Sequence, residues 1–295
     1  MSFPIPRPVS EGSKLAIVAP AGPFDEDAFQ LGVNWLRLRY EVEHSEEIFS
    51  REGFLAGSDQ RRLDELTSAV EDPSVDAILC ARGGYGATRL LPGLDLPLIT
   101  EANKLIVGFS DITALHSIWA RAGVRSIHAP MVASLGGASD EIRNGWIQSL
   151  EQPDLPRHWA LERINPEAPS ATGTFLGGNL AVLGALNGTE YIPPVDDAIL
   201  FIEDVGERPY RIDRMLTSLT QSGWFDRLNG VVIGAFTESD PGPDGVTLDD
   251  IFESYFSQAP FPVLRGLPAG HIDHNEALSF GSNASIINDT LLVNH

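Results

Sequence analysis

"KLIVGFSDITALH", residues 104–116, passes from an apolar run to a helical pattern with a serine at the junction. The run 104–109 reads as a buried strand, and "DITALHSIWARAG" reads as the helix after it. Gly123 is a plausible stop for that helix. A small polar residue between the two has two readings. Ser110 either caps the helix or sits on a tight strand-to-helix elbow as a nucleophile. The layout G-x-S-x matches the elbow at Gly108, but the second glycine of the common pattern is replaced by Ile112. The residues alone leave both readings open.

Around this stretch, short apolar runs alternate with helical patterns. "KLAIVAP" and "DAILC" read as strands ending in the loops "AGP" and "ARGGYG". Between them Leu63, Leu66 and Val70 share one helical face, with Ser58 or Asp59 able to cap its start and Pro73 beyond its end. Near-continuous apolar strands separated by helices predict an α/β domain with a parallel sheet covered on both faces. This domain is expected over residues 1–136. Residues 137–172 read as an interdomain linker with one short helix, because prolines interrupt any periodicity. Residues 173–295 have a different texture. "GGNLAVLGALNGTEY" suggests a Gly-rich turn and a helix. "AILFIED" and "GVVIGAF" read as strands around the helical "PYRIDRMLTSLTQSG". Thr247 caps a further helix with Asp250 in its first turn. "ASIINDTLLVN" reads as a hairpin turning at Asn288-Asp289. A smaller α+β, barrel-like C-terminal domain is expected.

Composition bounds the function. The 295 residues suit one large or two ordinary domains, and 43% apolar content supports a sizeable core. The net charge of −21 opposes any phosphate-backbone partner, so nucleic acid is not expected. A single cysteine, Cys80, excludes a disulfide framework and a multi-cysteine zinc site, and reads as a buried small hydrophobe. The N-terminus shows no secretory h-region, and no apolar stretch reaches the ~18 residues needed to span a bilayer. A cytoplasmic protein without a membrane partner is the expectation.

A nucleophilic serine needs an oriented base. His44, His158 and His295 read as solvated, His116 as packing or surface, and His128 as a residue able to line a cleft. His271 and His274 lie in the Gly/Pro-bounded loop "GLPAGHIDHNEALSFG", where functional residues often sit. Their spacing does not build a metal site without a second ligand cluster, and no metal or cofactor is expected. For the acid that orients a base, Glu203 and Asp204 end the strand "ILFIED", and Glu207 is the reserve. The loop "ARGGYGATRLL", residues 81–91, lacks both a dinucleotide fingerprint and a Gly-Lys-Ser/Thr phosphate loop. It reads either as half of an oxyanion hole, with exposed backbone N–H groups, or as a plain tight turn.

Taken together, "FLAGSDQRRLDEL", "ILCARGGYGATRLL", "GFSDITALH", "FLGGNL", "FIEDVGERPYRIDRML" and "GLPAGHIDH" resemble, in order and texture, the L,D-carboxypeptidases of serine peptidase family S66. That family includes murein tetrapeptide carboxypeptidases and microcin C immunity hydrolases. The resemblance runs from about residue 14 to residue 283. It implies Ser110 as nucleophile, Glu203 and His271 as its partners, and the N–H groups of Gly84 and Asp111 as the oxyanion hole. Arg82 and Tyr85 are substrate-binding candidates, Arg82 by its position either for a terminal carboxylate or as a brace of its loop. The family's H-G-P reads His128-Ala129-Pro130 here. The implied reaction removes the terminal D-alanine of a murein tetrapeptide, with a homodimer as the implied assembly. Two rivals remain. One is a microcin C-type peptidyl-nucleotide amidase, for which Trp159 and Trp224 are the only tempting base stackers. The other is a non-catalytic two-domain binding protein.

Overall fold

The computed structural model describes residues 3–294. His295, expected to be solvated, lies outside the described residues. The first half alternates strand and helix: β1 (Lys14–Val18), α1 (Glu26–Leu36), β2 (Glu41–Glu43), α2 (Asp59–Glu71), β3 (Ala77–Cys80), α3 (Leu96–Ala102), β4 (Leu105–Gly108), α4 (Thr113–Arg121) and β5 (Ser126–His128). All five strands pair in parallel in the order β5-β4-β3-β1-β2. Strands β3 and β4 are buried at every position, as a sheet covered on both faces requires. Alternate residues feed opposite layers. Leu15 and Ile17 pack with Phe29 and Val33 of α1, whereas Ala16 and Val18 pack with Leu66 and Val70 of α2. Ser58 caps α2 by accepting from the Arg61 N–H. Cys80 is buried as expected, and desolvation pushes its thiol pKa up.

The chain passes from β1 to β2 on one side, then to β3 on the other. The crevice between the carboxyl ends of β1 and β3 is therefore a topological switch point, where open α/β sheets bind ligands. The loops "AGP" and "ARGGYG" meet there, and the Gly22 N–H donates to the Gly83 carbonyl at 3.0 Å.

The second half follows as α5 (Val132–Leu135), α6 (Asp140–Glu151), β6 (Arg157–Ala160), β7 (Glu162–Arg163), β8 (Ala171–Asn179), α7 (Leu180–Leu186), β9 (Ala198–Val205), α8 (Pro209–Gln221), β10 (Gly230–Thr237), α9 (Leu248–Phe256), β11 (Val263–Arg265), β12 (Leu278–Phe280), β13 (Asn283–Ile287) and β14 (Thr290–Asn294). Eight of these strands form one mixed sheet in the order β6-β14-β13-β8-β9-β10-β11-β7. Its two edge strands are separated in the chain by Leu161 alone, so the sheet must curl until its edges nearly meet. That gives the barrel-like second unit of an α/β protein. Inside, Phe175, Ile199, Phe201 and Ile286 pack together, while Leu200 and Ile202 face Ile212 and Leu216 of α8. Burying one such aromatic side chain stabilises the fold by roughly 2–3 kcal/mol.

Three features differ from the sequence reading. Residues 137–172, expected as a linker with one short helix, hold α6 and two strands that both join the curled sheet. Gly177 and Gly178, expected in a turn, continue β8, where a Cβ on Gly177 would fall 1.9 Å from the Phe201 carbonyl oxygen. Strand β12 leaves the second half to pair antiparallel with β5, so Leu278–Phe280 edges the first sheet while the strands on either side of it in sequence stay in the second. Thr247 forms a reciprocal capping box with Asp250 on α9, and the hairpin turns at Asn288-Asp289 as expected.

Candidate active site

Ser110 follows β4 at the carboxyl edge of the first sheet and opens a single 3-10 turn, Ser110–Ile112, before α4. Its φ is +64°, in the left-handed region that costs a non-glycine residue roughly 1–2 kcal/mol. The turn lifts the side chain out of the sheet. Neither the 3-10 turn nor α4 is capped by a side chain, so Ser110 is not a helix cap. Its Oγ lies 3.1 Å from His271 Nε2 instead. Nδ1 of the same ring lies 2.7 Å from Glu203 Oε2. The three residues thus form one hydrogen-bonded line that starts on the parallel sheet and ends on β9 of the curled sheet.

The partners are held rigidly. Glu203 is fully buried near the end of β9. Gly270, with φ +124°, brings its backbone against that carboxylate, and a Cβ there would lie 2.8 Å from Oε2. The Gly270 N–H donates to Asn275 Oδ1 at 2.9 Å, closing the loop that carries His271. The Phe109 ring braces the imidazole at 4.9 Å. Gly270→Ala is therefore expected to lower the unfolding free energy by about 2 kcal/mol and activity by about 100-fold, read by urea denaturation and turnover on one preparation.

A second chain of bonds stitches the sheets together beside the first. Asp204 is buried and accepts from Asn179 Nδ2, the Ala181 N–H and the Val205 N–H, at 2.9, 2.8 and 2.8 Å. The Asn179 N–H donates to Thr113 Oγ1, at the start of α4, at 2.9 Å. Asp204 thus locks the strand end while its neighbour Glu203 faces the imidazole. Glu207, the reserve acid, pairs with Arg211 at 3.3 Å. The sequence reading missed Asn179 and Thr113; the motif "FLGGNL" carries Asn179 but gives no sign of its partner.

The Gly-rich loop lies directly against the elbow. A Cβ on Gly83 would be 3.0 Å from Ser110 Cβ and 3.4 Å from the Asp111 nitrogen, so any larger residue would crowd the elbow. Among the described residues, neither the Gly84 nor the Asp111 N–H donates to a protein acceptor. The Asp111 carboxylate accepts from the Ala87 N–H at 2.8 Å and ties the loop to the elbow. Burial pushes that carboxyl up to about 6 from its ordinary 3.8. Folded protein then keeps a proton at pH 5 that the unfolded chain has released. The resulting stabilisation is greatest below 3.8 and is lost as pH rises through about 6. Wild-type stability relative to Asp111→Asn is expected to rise by about 2 kcal/mol from pH 7 to pH 4 in paired denaturant titrations.

The cleft in front of Ser110 measures about 760 Å³ and is lined by Phe24, Arg51, Arg82, Gly84, Phe109 and His271, among others. Arg82 lines it and also donates to the Pro23 carbonyl at 2.6 Å. Arg51, which the sequence reading missed, joins it from a loop with no local signature. Tyr85 does not line the cleft; it is half exposed, with its ring 5.5 Å from exposed Phe54. His128, expected to line a cleft, is fully buried below it among Phe109, Phe201 and Phe280, and desolvation holds its imidazole well below the ordinary range. His116 packs inside, with Nε2 2.9 Å from the Gly108 carbonyl and a pKa lowered by burial to about 4. His44, expected to be solvated, is half-buried, with its ring edge-on to Phe29. His158 is exposed. His274 turns away from His271 toward Glu141 and Glu276.

A profile of the LD-carboxypeptidase N-terminal domain matches residues 15–129, and one of the C-terminal domain matches residues 172–286. A protein of Synechocystis sp. is 37% identical over 98% of this chain and 96% of its own length.

The chain belongs to the S66 LD-carboxypeptidase family.

The murein tetrapeptide carboxypeptidase of Pseudomonas aeruginosa is 30% identical to this S66 chain, covering 92% of each. The crystal structure of muramoyltetrapeptide carboxypeptidase from Oxalobacter formigenes superposes with a TM-score of 0.86 at 30% identity, covering 96% of this chain and 99% of that one. The two-sheet architecture is thus that of the S66 fold, and the protein is a peptidase by family. Among the described residues, no helix is long and apolar enough to cross a membrane.

Proposed function

We propose that this protein is a serine L,D-carboxypeptidase that removes the terminal D-alanine from murein tetrapeptide. The observation that carries the reading is the bonded line Ser110–His271–Glu203, at 3.1 and 2.7 Å. His271 Nε2 takes the hydroxyl proton as Oγ attacks the carbonyl carbon. Glu203 accepts from Nδ1–H, fixes the tautomer and stabilises the imidazolium. The Gly84 and Asp111 N–H groups receive the developing oxyanion, each such donor being worth about 3 kcal/mol of barrier. His271 then protonates the leaving amine, and water resolves the acyl-enzyme by the same steps. Arg82 and Arg51 offer guanidinium groups to the terminal carboxylate. Cytoplasmic placement and a homodimer go with this reading and rest on the family resemblance.

The peptidyl-nucleotide alternative has less support at the cleft. Its base stackers are absent there: Trp224 is buried and bonded to Asn187 Oδ1, and Trp159 bonds Glu276 Oε2 away from Ser110. The test is mass-spectrometric detection of D-alanine release from murein tetrapeptide, with the L-alanine-terminated peptide and a nucleotide-linked peptide as comparison substrates. Release from the first alone supports the reading. Turnover of the nucleotide conjugate alone, or of none of the three, defeats it.

A further inference from the structure

Helix α2 turns Arg62, Leu66, Ala69 and Val70 to the interior. That face calls for an apolar residue at position 62, yet the chain places a guanidinium there with no exposed surface. An arginine is almost never fully buried unless its charge and its donors are met. What meets them lies in two loops. Arg62 Nη1 donates to the Pro20 carbonyl, after β1, and to the Gly86 carbonyl, after β3, the latter at 2.9 Å. Arg62 Nη2 donates to Asp59, which also takes a fork from Arg89 Nε and Nη2 at 2.8 and 2.6 Å.

Both loops reach the elbow. The Gly86 carbonyl and the Ala87 N–H belong to one peptide group. Arg62 holds its oxygen, and the Asp111 carboxylate holds its N–H at 2.8 Å. The Gly83–Gly84 peptide is also held by its oxygen, which accepts from the Gly22 N–H at 3.0 Å. Gly22 follows the gripped Pro20 by two residues. A trans peptide points its N–H away from its carbonyl, so the grip on the Gly83 oxygen sets the direction of the Gly84 N–H. Accepting at that oxygen also polarises the group and strengthens the N–H as a donor. The fit is close: a Cβ on Gly86 would lie 2.6 Å from Arg62 Nη1, and one on Gly22 would lie 3.1 Å from the Gly83 oxygen.

We propose that Arg62 is a positioning residue for the oxyanion hole: by holding the Pro20 and Gly86 carbonyls together, it keeps the Gly84 N–H aimed at the developing oxyanion. This rests on the reading of Ser110 as nucleophile. Arg62 does not line the cleft, so its loss slows acyl transfer without weakening substrate binding.

The test uses two variants. Arg62→Met keeps the length of the buried side chain and removes every donor. Arg62→Lys keeps the charge but loses the planar fork that meets both carbonyls and Asp59. Three quantities are read on wild type and on each folded variant: the rate at which a fluorophosphonate labels Ser110, its pH profile, and kcat and KM for D-alanine release. Arg62→Met is expected to slow labelling and kcat by about 100-fold and Arg62→Lys by about tenfold, with KM within about threefold. The midpoint of the pH profile is expected to stay at its wild-type position, because Ser110, His271 and Glu203 keep their contacts. Wild-type labelling rates in a folded variant overturn the proposal. So does a displaced midpoint, because Arg62 then acts through the triad rather than through the loop. If Arg62→Met does not fold, Arg62→Lys decides by the same two criteria. A wild type that labels on Ser110 but releases no D-alanine removes the carboxypeptidase reading alone, and the labelling rates still decide the role of Arg62.

Discussion

Ser110→Ala is expected to lower kcat by about 10⁴-fold or more while the melting temperature moves by no more than about 3 °C. The first expectation follows from the 3.1 Å contact with His271, since Ser134, the other serine lining the cleft, donates its hydroxyl to the Met131 carbonyl instead. The second follows from the backbone. Alanine keeps the same left-handed strain at φ +64° and removes no cap, because Ser110 caps nothing. Ser110→Gly relieves that strain. It is expected to be equally inactive but more stable than Ser110→Ala by roughly 1 kcal/mol. A calorimetric scan of the three proteins beside a D-alanine release assay reads both effects. An alanine variant that keeps its turnover, or a glycine variant less stable than the alanine one, would contradict the elbow argument.

The second large effect concerns Glu203. Glu203→Gln changes no volume, and the site is fully buried. An amide at this position can present its NH₂ to Nδ1, which would then accept rather than donate. Nε2 would carry the proton, and the ring would have no lone pair for the Ser110 hydroxyl. The loss in kcat is expected at about 10³–10⁴-fold, with KM changed by less than about threefold. Stability should change little or rise, because a buried carboxylate with one oxygen, Oε1, lacking a hydrogen bond is replaced by a neutral group. Glu203→Asp separates geometry from charge. It keeps the acid but withdraws it by one methylene, and should retain more activity than the glutamine variant.

How far the sequence went depends on sequence distance. The strand-to-helix junction was legible because strand, serine and helix are contiguous, but the residues alone left Ser110 open between a cap and a nucleophile. Glu203 and His271 were not singled out by local pattern. The residues alone left Glu203, Asp204 and Glu207 open, and the family resemblance chose among them. The physical reason is separation: His271 lies 68 residues from Glu203 and 161 from Ser110. Only the pairing of two sheets brings them together. The same limit hid Asn179, whose amide N–H reaches Thr113, 66 residues away, and Arg51, which enters the cleft from a loop. His128 shows the opposite error. A histidine after a strand reads as a cleft residue, but tertiary packing encloses it among three phenylalanines. Gly177 and Gly178 read as a turn because glycine pairs usually mark one. In β8 they serve close approach instead, with a Cβ on Gly178 falling 2.3 Å from Thr113 Oγ1.

The most direct measurement for the proposed chemistry is peptide mapping after a fluorophosphonate probe, run on wild type, His271→Ala and Glu203→Gln. The account predicts one adduct on wild type, placed on Ser110, with labelling slowed by at least about 100-fold in His271→Ala. An unlabelled Ser110 in a preparation that still releases D-alanine, or equal labelling rates in all three proteins, would contradict it.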